Sequence, residues 1–357
     1  FANMHREHGL FAVDFPWSFY STIRLFSSSL WYGFGIFLIP FSYIGNAATG
    51  IKLAGVLLTA AALVAYYWVC RRHQFKMAPL WPFLFLFSAP NVLFQLLMVR
   101  PQIISLALVP LLFSFLIRSN IWGAFLAALG IVWFHLNFAW VPLVILGVIM
   151  FVRLVIVRRI ELGLSSVVFF GAIAGWLLRP NPFGAAKLFY IQVIQQIFEK
   201  QQGLPLLFGT ENFPLSTEIL FKNFGVFMTL WVLAVIFMVW QFLKKITPPS
   251  IESKIFAWSA VSLSSIFFLL TIFVARRGYN FWVAFGILLI AALLTYFPRH
   301  IPRWSTTIIL IALVFLFFYS SYKTSIAMAR KGYPPDYLRV IGLWLKDHSN
   351  PGDIVLN

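Results

Sequence analysis

Residues 51–70 read IKLAGVLLTAAALVAYYWVC and are followed at once by Arg71 and Arg72. Only Lys52, at the head of the run, carries charge. A helix of about 20 residues rises about 30 Å, which matches the hydrocarbon thickness of a bilayer. Similar runs recur near 79–99, 102–118, 121–134, 138–152, 162–178, 225–243, 255–275, 281–297 and 304–321. Strict apolar–polar alternation is absent, which argues against barrel strands. Hydrophobic residues make up 61% of the chain, charged residues 10%, and mean hydropathy is +0.88. A soluble domain carries roughly a quarter charged residues. The expected fold is an all-α polytopic membrane protein of about ten to eleven transmembrane helices.

Residues 29–46 are apolar but broken by Gly33, Gly35 and Pro40. They read either as an eleventh span or as a segment dipping in from one side, and the glycines and proline favour the dip. Placing Arg71, Arg72 and Lys76 in the cytoplasm puts Arg118, Arg153, Arg158, Arg159, Lys244, Lys245, Lys254, Arg299 and Arg303 there too. These are short basic loops, as the positive-inside rule expects. Glu161 and Glu252 fall inside, while Glu199, Glu211, Glu218, Asp336, Asp347 and Asp353 fall outside. The net charge of +17 therefore reads as membrane orientation and not as a nucleic-acid surface. Cys70 is the sole cysteine, which excludes an intrachain disulfide and a multi-cysteine metal site.

Three polar stretches face outward in this reading. Residues 1–28 form a first outer loop, 29–321 the transmembrane domain with a long outer loop at 179–224, and 322–357 the start of an outer domain. Within the last, Leu338, Ile341, Trp344 and Leu345 recur at helical spacing before Asn350-Pro351-Gly352-Asp353, a turn, and a short apolar run to Asn357. That order suits an extramembrane α/β domain. The chain starts at Phe1 and not at Met, and both ends are expected to continue.

The candidate chemistry lies on this outer face. Arg100, Arg179, Arg276 and Arg277 sit at outer span ends, against the general distribution of basic residues. Charges at membrane depth tend to be functional, and the guanidinium fork matches phosphate. Each can equally snorkel to headgroups. Arg100-Pro101-Gln102 is a tight polar break, and Arg276-Arg277-Gly278-Tyr279-Asn280 adds an aromatic ring and an amide suited to a sugar. His135 and Asn137 lie among Trp133, Phe134, Phe138 and Trp140, either lining a sugar pocket or forming part of an interfacial aromatic belt. From Lys187 to Lys200, Gln192, Gln195, Gln196 and Glu199 recur on one helical face, as in a helix lying in the interface. Glu211 and Asp14 are the weak candidates for acid–base work. A solvated loop acid and a turn or helix cap are their bland alternatives. No paired carboxylate, P-loop, HExxH or GxSxG motif is present, so no metal ligand set is assigned and a divalent cation has no support in the sequence.

Several stretches together resemble the GT-C superfamily of membrane glycosyltransferases, which includes oligosaccharyltransferase catalytic subunits and protein mannosyltransferases. His8-Gly9-Leu10-Phe11 with Phe15-Pro16-Trp17 is similar to the end of the family's first outer loop. Ile39-Pro40-Phe41 and Gly50-Ile51-Lys52-Leu53-Ala54 resemble its passage into the second span. Arg100-Pro101-Gln102 falls where the second outer loop presents polar residues, and Asn181-Pro182-Phe183 resembles the fourth-loop opening. Trp344-Leu345-Lys346 through Val355 looks like the start of its outer domain. Uncharacterised bacterial multispan members are the nearest in kind.

The resemblance implies transfer of a sugar from a polyprenyl-phosphate-linked donor to a glycan, lipid or protein acceptor on the outer face of a bacterial inner membrane. It places the family's catalytic Asp upstream of Phe1. Ser27-Ser28-Ser29 and the pair Arg100 and Gln102 stand where relatives carry acids, which leaves metal dependence open. On this reading Arg100 with Arg276 or Arg277 holds phosphate, and His135, Asn137 and Tyr279 contact sugar. Two rivals stay open: a multispan transporter or lipid flippase, and a non-catalytic GT-C-like membrane protein.

Overall fold

A computed structural model describes residues 2–13, 21–159, 161–201, 210–245, 248–297, 303–331 and scattered positions between 340 and 348. Among the described residues there are helices and turns but no strand. Asp14, and the turn and strand expected from Asn350 to Asn357, lie outside them.

Short helices α1 (Ala2–His8), α2 (Thr22–Leu25) and α3 (Tyr32–Phe37) precede the long α4 (Ala47–Arg72). Asn46 caps α4 by accepting from the Thr49 N–H at 2.9 Å, and Arg71 and Arg72 lie in its last turn, where cations complement the helix dipole. Next come α5 (Leu80–Phe87) and α6 (Pro90–Leu97), bent by 99°. The run 79–99, read from sequence as one span, is thus broken at Pro90, which cannot donate into a continuing helix. The freed carbonyls find side-chain partners: Ser88 Oγ donates to Phe85 O, Ser321 Oγ to Phe87 O and Thr59 Oγ1 to Leu96 O. Such satisfaction is what lets a broken helix persist inside a membrane bundle.

The chain continues through α7 (Gln102–Ile117), α8 (Ile121–Phe134), α9 (Val141–Val157) and α10 (Leu162–Leu177). A second sharp bend, 107°, separates α10 from α11 (Pro182–Phe189) across Arg179-Pro180-Asn181. After α11 a π-helical turn over Tyr190–Gln195 leads into α12 (Gln196–Gln201). The remaining helices are α13 (Thr217–Leu243), α14 (Ile251–Phe273), α15 (Tyr279–Tyr296) and α16 (Arg303–Lys331). Ser216 and Ser250 cap α13 and α14. Helix α16 runs straight through residue 321, where sequence composition had divided membrane from outer domain.

Among the described residues, six helices are long and apolar enough to cross a membrane, and up to eight spans result if each bent pair counts as one. Helices α7 and α8 are shorter apolar helices, as is the stretch Tyr32–Tyr43. The latter comprises α3 and a 3-10 turn over Pro40–Tyr43, packed on α1, α4 and α8. Six helical residues reach about 9 Å, too short to cross on their own.

Helix α15 is the axis of the bundle: every residue from Tyr279 to Leu289 is buried. A helix apolar all round suits that position. Tyr66 of α4 stacks on Phe85 and donates to Ala284 O at 2.8 Å, tying α4 to the axis. On the opposite flank α10 presses on α8, where a Cβ built on Gly171 would lie 2.6 Å from Phe125 O. Gly171 and Gly175 form a small-residue stripe that permits close backbone approach. The outside of the bundle carries Val56, Val64, Phe169, Phe170, Leu233, Ile236 and Phe315, all exposed, an apolar surface that suits hydrocarbon better than water.

Candidate functional site: a polar chamber beside an apolar cavity

Five elements converge at the end of the bundle opposite Arg71 and Arg72. They are the segment around α3, the start of α7, the corner between α8 and α9, a 3-10 turn over Thr210–Asn212, and a 3-10 turn over Arg276–Gly278. Backbone hydrogen bonds set their register. Leu136 N–H donates to Leu30 O at 3.0 Å, fixing the α8–α9 corner against the α3 segment. Arg276 N–H donates to Phe213 O at 2.8 Å and Leu215 N–H to Thr271 O at 3.0 Å, fixing the loop after Glu211 against the turn that carries Arg277.

The space between them is a chamber of about 440 Å³ lined by Arg100, Gln102, His135, Asn137, Glu211 and Arg277, with Trp31, Phe34 and Leu38 as an apolar wall. Six residues singled out from sequence thus meet in one place, although they come from four separate stretches of chain. The carboxylate of Glu211 is held from both sides. Arg100 Nη1 lies 3.4 Å from Oε2, and Arg277 Nη2 pairs with Oε1. Burial alone would raise the Glu211 carboxyl. The two guanidinium groups outweigh it and hold the pKa below the usual carboxylate value. Two cations against one anion leave the chamber with a surplus positive charge.

His135 is buried, with Nδ1 3.2 Å from Ser105 Oγ on α7. Burial, reinforced by the Arg277 charge, lowers its pKa to about 3. It is therefore a neutral imidazole at ordinary pH, suited to hydrogen bonding and not to pairing with an anion. Trp31 Nε1, Gln102 Nε2 and Asn137 Oδ1 are buried without a hydrogen-bond partner among the described residues, all three on residues lining the chamber. Water or the polar groups of a ligand can pair them.

A second cavity, of about 460 Å³, adjoins the first and shares Asn137 and Arg277 with it. Its walls are apolar: Phe138, Trp140, Phe189, Val193, Leu270 and Phe281 among them. Gln192 and Gln196 face this cavity, whereas Gln195 hydrogen-bonds to Glu199. A π turn over Tyr190–Gln195 lies within the stretch from Lys187 to Lys200, which was expected from sequence to carry one polar face.

Three other sequence candidates lie apart. Arg179 is buried and donates to Ser29 O at 3.1 Å, Val132 O at 2.9 Å and Trp133 O at 3.3 Å. It caps the C-terminal end of α8 and ties it to the segment before α3, so it is a structural clasp and not a chamber residue. Burial lowers its pKa to about 10, which leaves it charged at neutral pH. Arg276 and Tyr279 are outside the chamber lining, and Tyr279 packs its ring on Phe224. Among the described residues, no three His, Cys, Asp or Glu side chains come together as a metal site. No family model matches the chain, and no curated protein matches it.

Proposed function

We propose that this protein is a GT-C-like membrane glycosyltransferase that moves a sugar from a polyprenyl-phosphate-linked donor to an acceptor on the non-cytoplasmic face. The observation that carries the reading is the convergence of Arg100 and Arg277 on one anionic group, the Glu211 carboxylate, inside a polar chamber next to an apolar cavity. A phosphate presents oxygens to guanidinium forks as a carboxylate does. The donor's phosphate takes the position between the arginines, its sugar meets Gln102, His135 and Asn137, and its first isoprenyl units enter the apolar cavity past Asn137 and Arg277. The protein sits in the bacterial inner membrane with the chamber outward and makes about ten spans, with residues 29–46 dipping from the outer side.

In the transfer the bond from the sugar's anomeric carbon to the phosphate oxygen breaks, and the electron pair leaves with the phosphate. An acceptor oxygen or nitrogen forms the new bond and loses its proton to a base. Negative charge grows on the leaving phosphate, so fixed guanidinium groups stabilise the transition state more than the ground state. His135, neutral and of low basicity, orients hydroxyl groups and does not take that proton.

The test is incubation of the full-length protein with a radiolabelled polyprenyl-phosphate sugar. Arg100→Ala and Arg277→Ala are each expected to lower transfer about 100-fold or more. Transfer and donor affinity untouched in both variants refute the site. One observation favours a second reading, a non-catalytic binder of lipid-linked phosphate: Glu211, the sole carboxylate among the described residues of the chamber lining, is paired with two arginines. Donor binding without transfer by the full-length protein would select that reading.

A further inference from the structure

The opposite end of the bundle carries a cavity that the transfer reading does not use. It is about 700 Å³, within the range of built small-molecule sites, and lies between the ends of α9, α13 and α14. Its inner wall is buried at Val152, Met238 and Gln241. Its outer rim is formed by Phe151, Val155 and Phe242, each open by about two thirds of its surface, so it faces sideways to where lipid chains run. Lys245 and Lys254 line it on the polar side. The Gln241 side chain is buried, and its Oε1 has no hydrogen-bond partner among the described residues.

Charge and shape select the occupant. The acids described at this end are Glu161, paired with Arg153, and Glu252, which reaches Arg118 and His73. Neither neutralises Lys245 or Lys254. A site with two ammonium groups at the interface, an apolar side-opening slot below them and one buried amide fits an amphiphile with an anionic head. We propose that this cavity binds an anionic phospholipid of the cytoplasmic leaflet. Its phosphate is held by Lys245 and Lys254, a head-group hydroxyl donates to Gln241 Oε1, and one acyl chain runs between Phe151, Val155 and Phe242. Trp258, also on the wall and in ring contact with Phe242, stands beside that chain. The site is independent of the outer chamber and of the transfer reading.

The experiment titrates the full chain in neutral detergent with phosphatidylglycerol or phosphatidylcholine and counts bound lipid by native mass spectrometry. Phosphatidylglycerol is expected to bind tighter. Each lysine contributes roughly a fivefold preference, so Lys245→Ala with Lys254→Ala is expected to weaken binding about 30-fold. Lys244→Ala, a neighbouring lysine outside the lining, is the control and is expected to change nothing. Ser262→Trp fills the slot and is expected to abolish binding with a melting temperature near that of the parent. Phosphatidylglycerol with dibrominated chains is expected to quench tryptophan emission by an increment that Trp258→Phe removes. Equal binding of both lipids, an equal effect of Lys244→Ala, or full displacement by millimolar glycerol phosphate overturns the proposal. The last of these outcomes marks a free-phosphate site instead.

Discussion

Replacing Glu211 with Gln should tighten anion binding in the polar chamber. The carboxylate occupies the point that both Arg100 and Arg277 reach, so a phosphate arriving there competes with a group already in place. The side chains of the trio are about one third to two fifths exposed, which puts each pair near the surface regime of about 0.5–1 kcal/mol. Freeing both guanidinium groups removes a competition of about 1–2 kcal/mol, or about fivefold to thirtyfold in apparent Kd. Isothermal titration of a short-chain polyprenyl phosphate into the protein in detergent measures it directly. The pH dependence gives an independent arm. Because the folded pKa of Glu211 is depressed, its contacts with the arginines persist above the usual carboxylate range and are lost as pH falls through the lowered value. The ligand's own phosphate titrates alike in both proteins, so the ratio of parent to Glu211→Gln affinity should rise on acidification through the lowered Glu211 value. Weaker or unchanged binding in Glu211→Gln refutes the shared anion position. Tighter binding together with lost transfer assigns the carboxylate to the acceptor's proton.

Three further outcomes follow from the same geometry. Arg179→Ala should destabilise the fold by about 3 kcal/mol, since it removes charged hydrogen bonds to three buried carbonyls, and should leave phosphate affinity of the folded fraction unchanged; thermal melting and the titration above check both. Gly171→Leu should cost about 1–3 kcal/mol by forcing α10 off α8, read as a lower melting temperature, with an unchanged melting temperature refuting the tight seam. His135 should show no protonation by NMR between pH 5 and 8, because its pKa is lowered to about 3. As the unfolded chain takes up that proton near pH 6.5 and the folded one does not, this residue should erode stability as pH falls below 6.5.

Much of the fold is written locally. Apolar runs bounded by Asn46, Asn120, Ser216 and Ser250 announce their helices, because length against bilayer thickness and a side chain able to cap an N-terminus are properties of adjacent residues. The bend at Pro90 was also present as a local signal, but apolar content on both sides concealed it. The chamber was half legible. Arg100, Gln102, His135, Asn137, Glu211 and Arg277 stand out as polar groups at span ends, and they do meet. That Glu211 lies between two arginines was not legible, since the pairing joins positions 111 and 66 residues apart through a loop register set by backbone hydrogen bonds. Trp31 and the α3 segment as a chamber wall were missed because their composition reads as membrane filler.

The arginines show why position along a span is not enough to separate structure from function. Arg153 and Arg179 sit at opposite ends of the bundle and behave alike. Arg153 donates to Leu116 O and Ile117 O at the end of α7, and Arg179 to Val132 O and Trp133 O at the end of α8. Those acceptors are carbonyls that the helix ends leave without intrahelical donors, and they cannot move without unwinding the helix. An arginine so engaged is fixed, and no ligand can recruit it at a moderate energetic cost. Arg153 also pairs with Glu161, but its carbonyl bonds hold it in place; Arg100 and Arg277 instead meet a carboxylate on a short 3-10 turn at a cavity wall. A rotamer change releases that partner, and an incoming phosphate replaces like with like. Exchangeability of the counter-ion, and not burial or depth of the charge, is what makes these two arginines the pair proposed to hold phosphate.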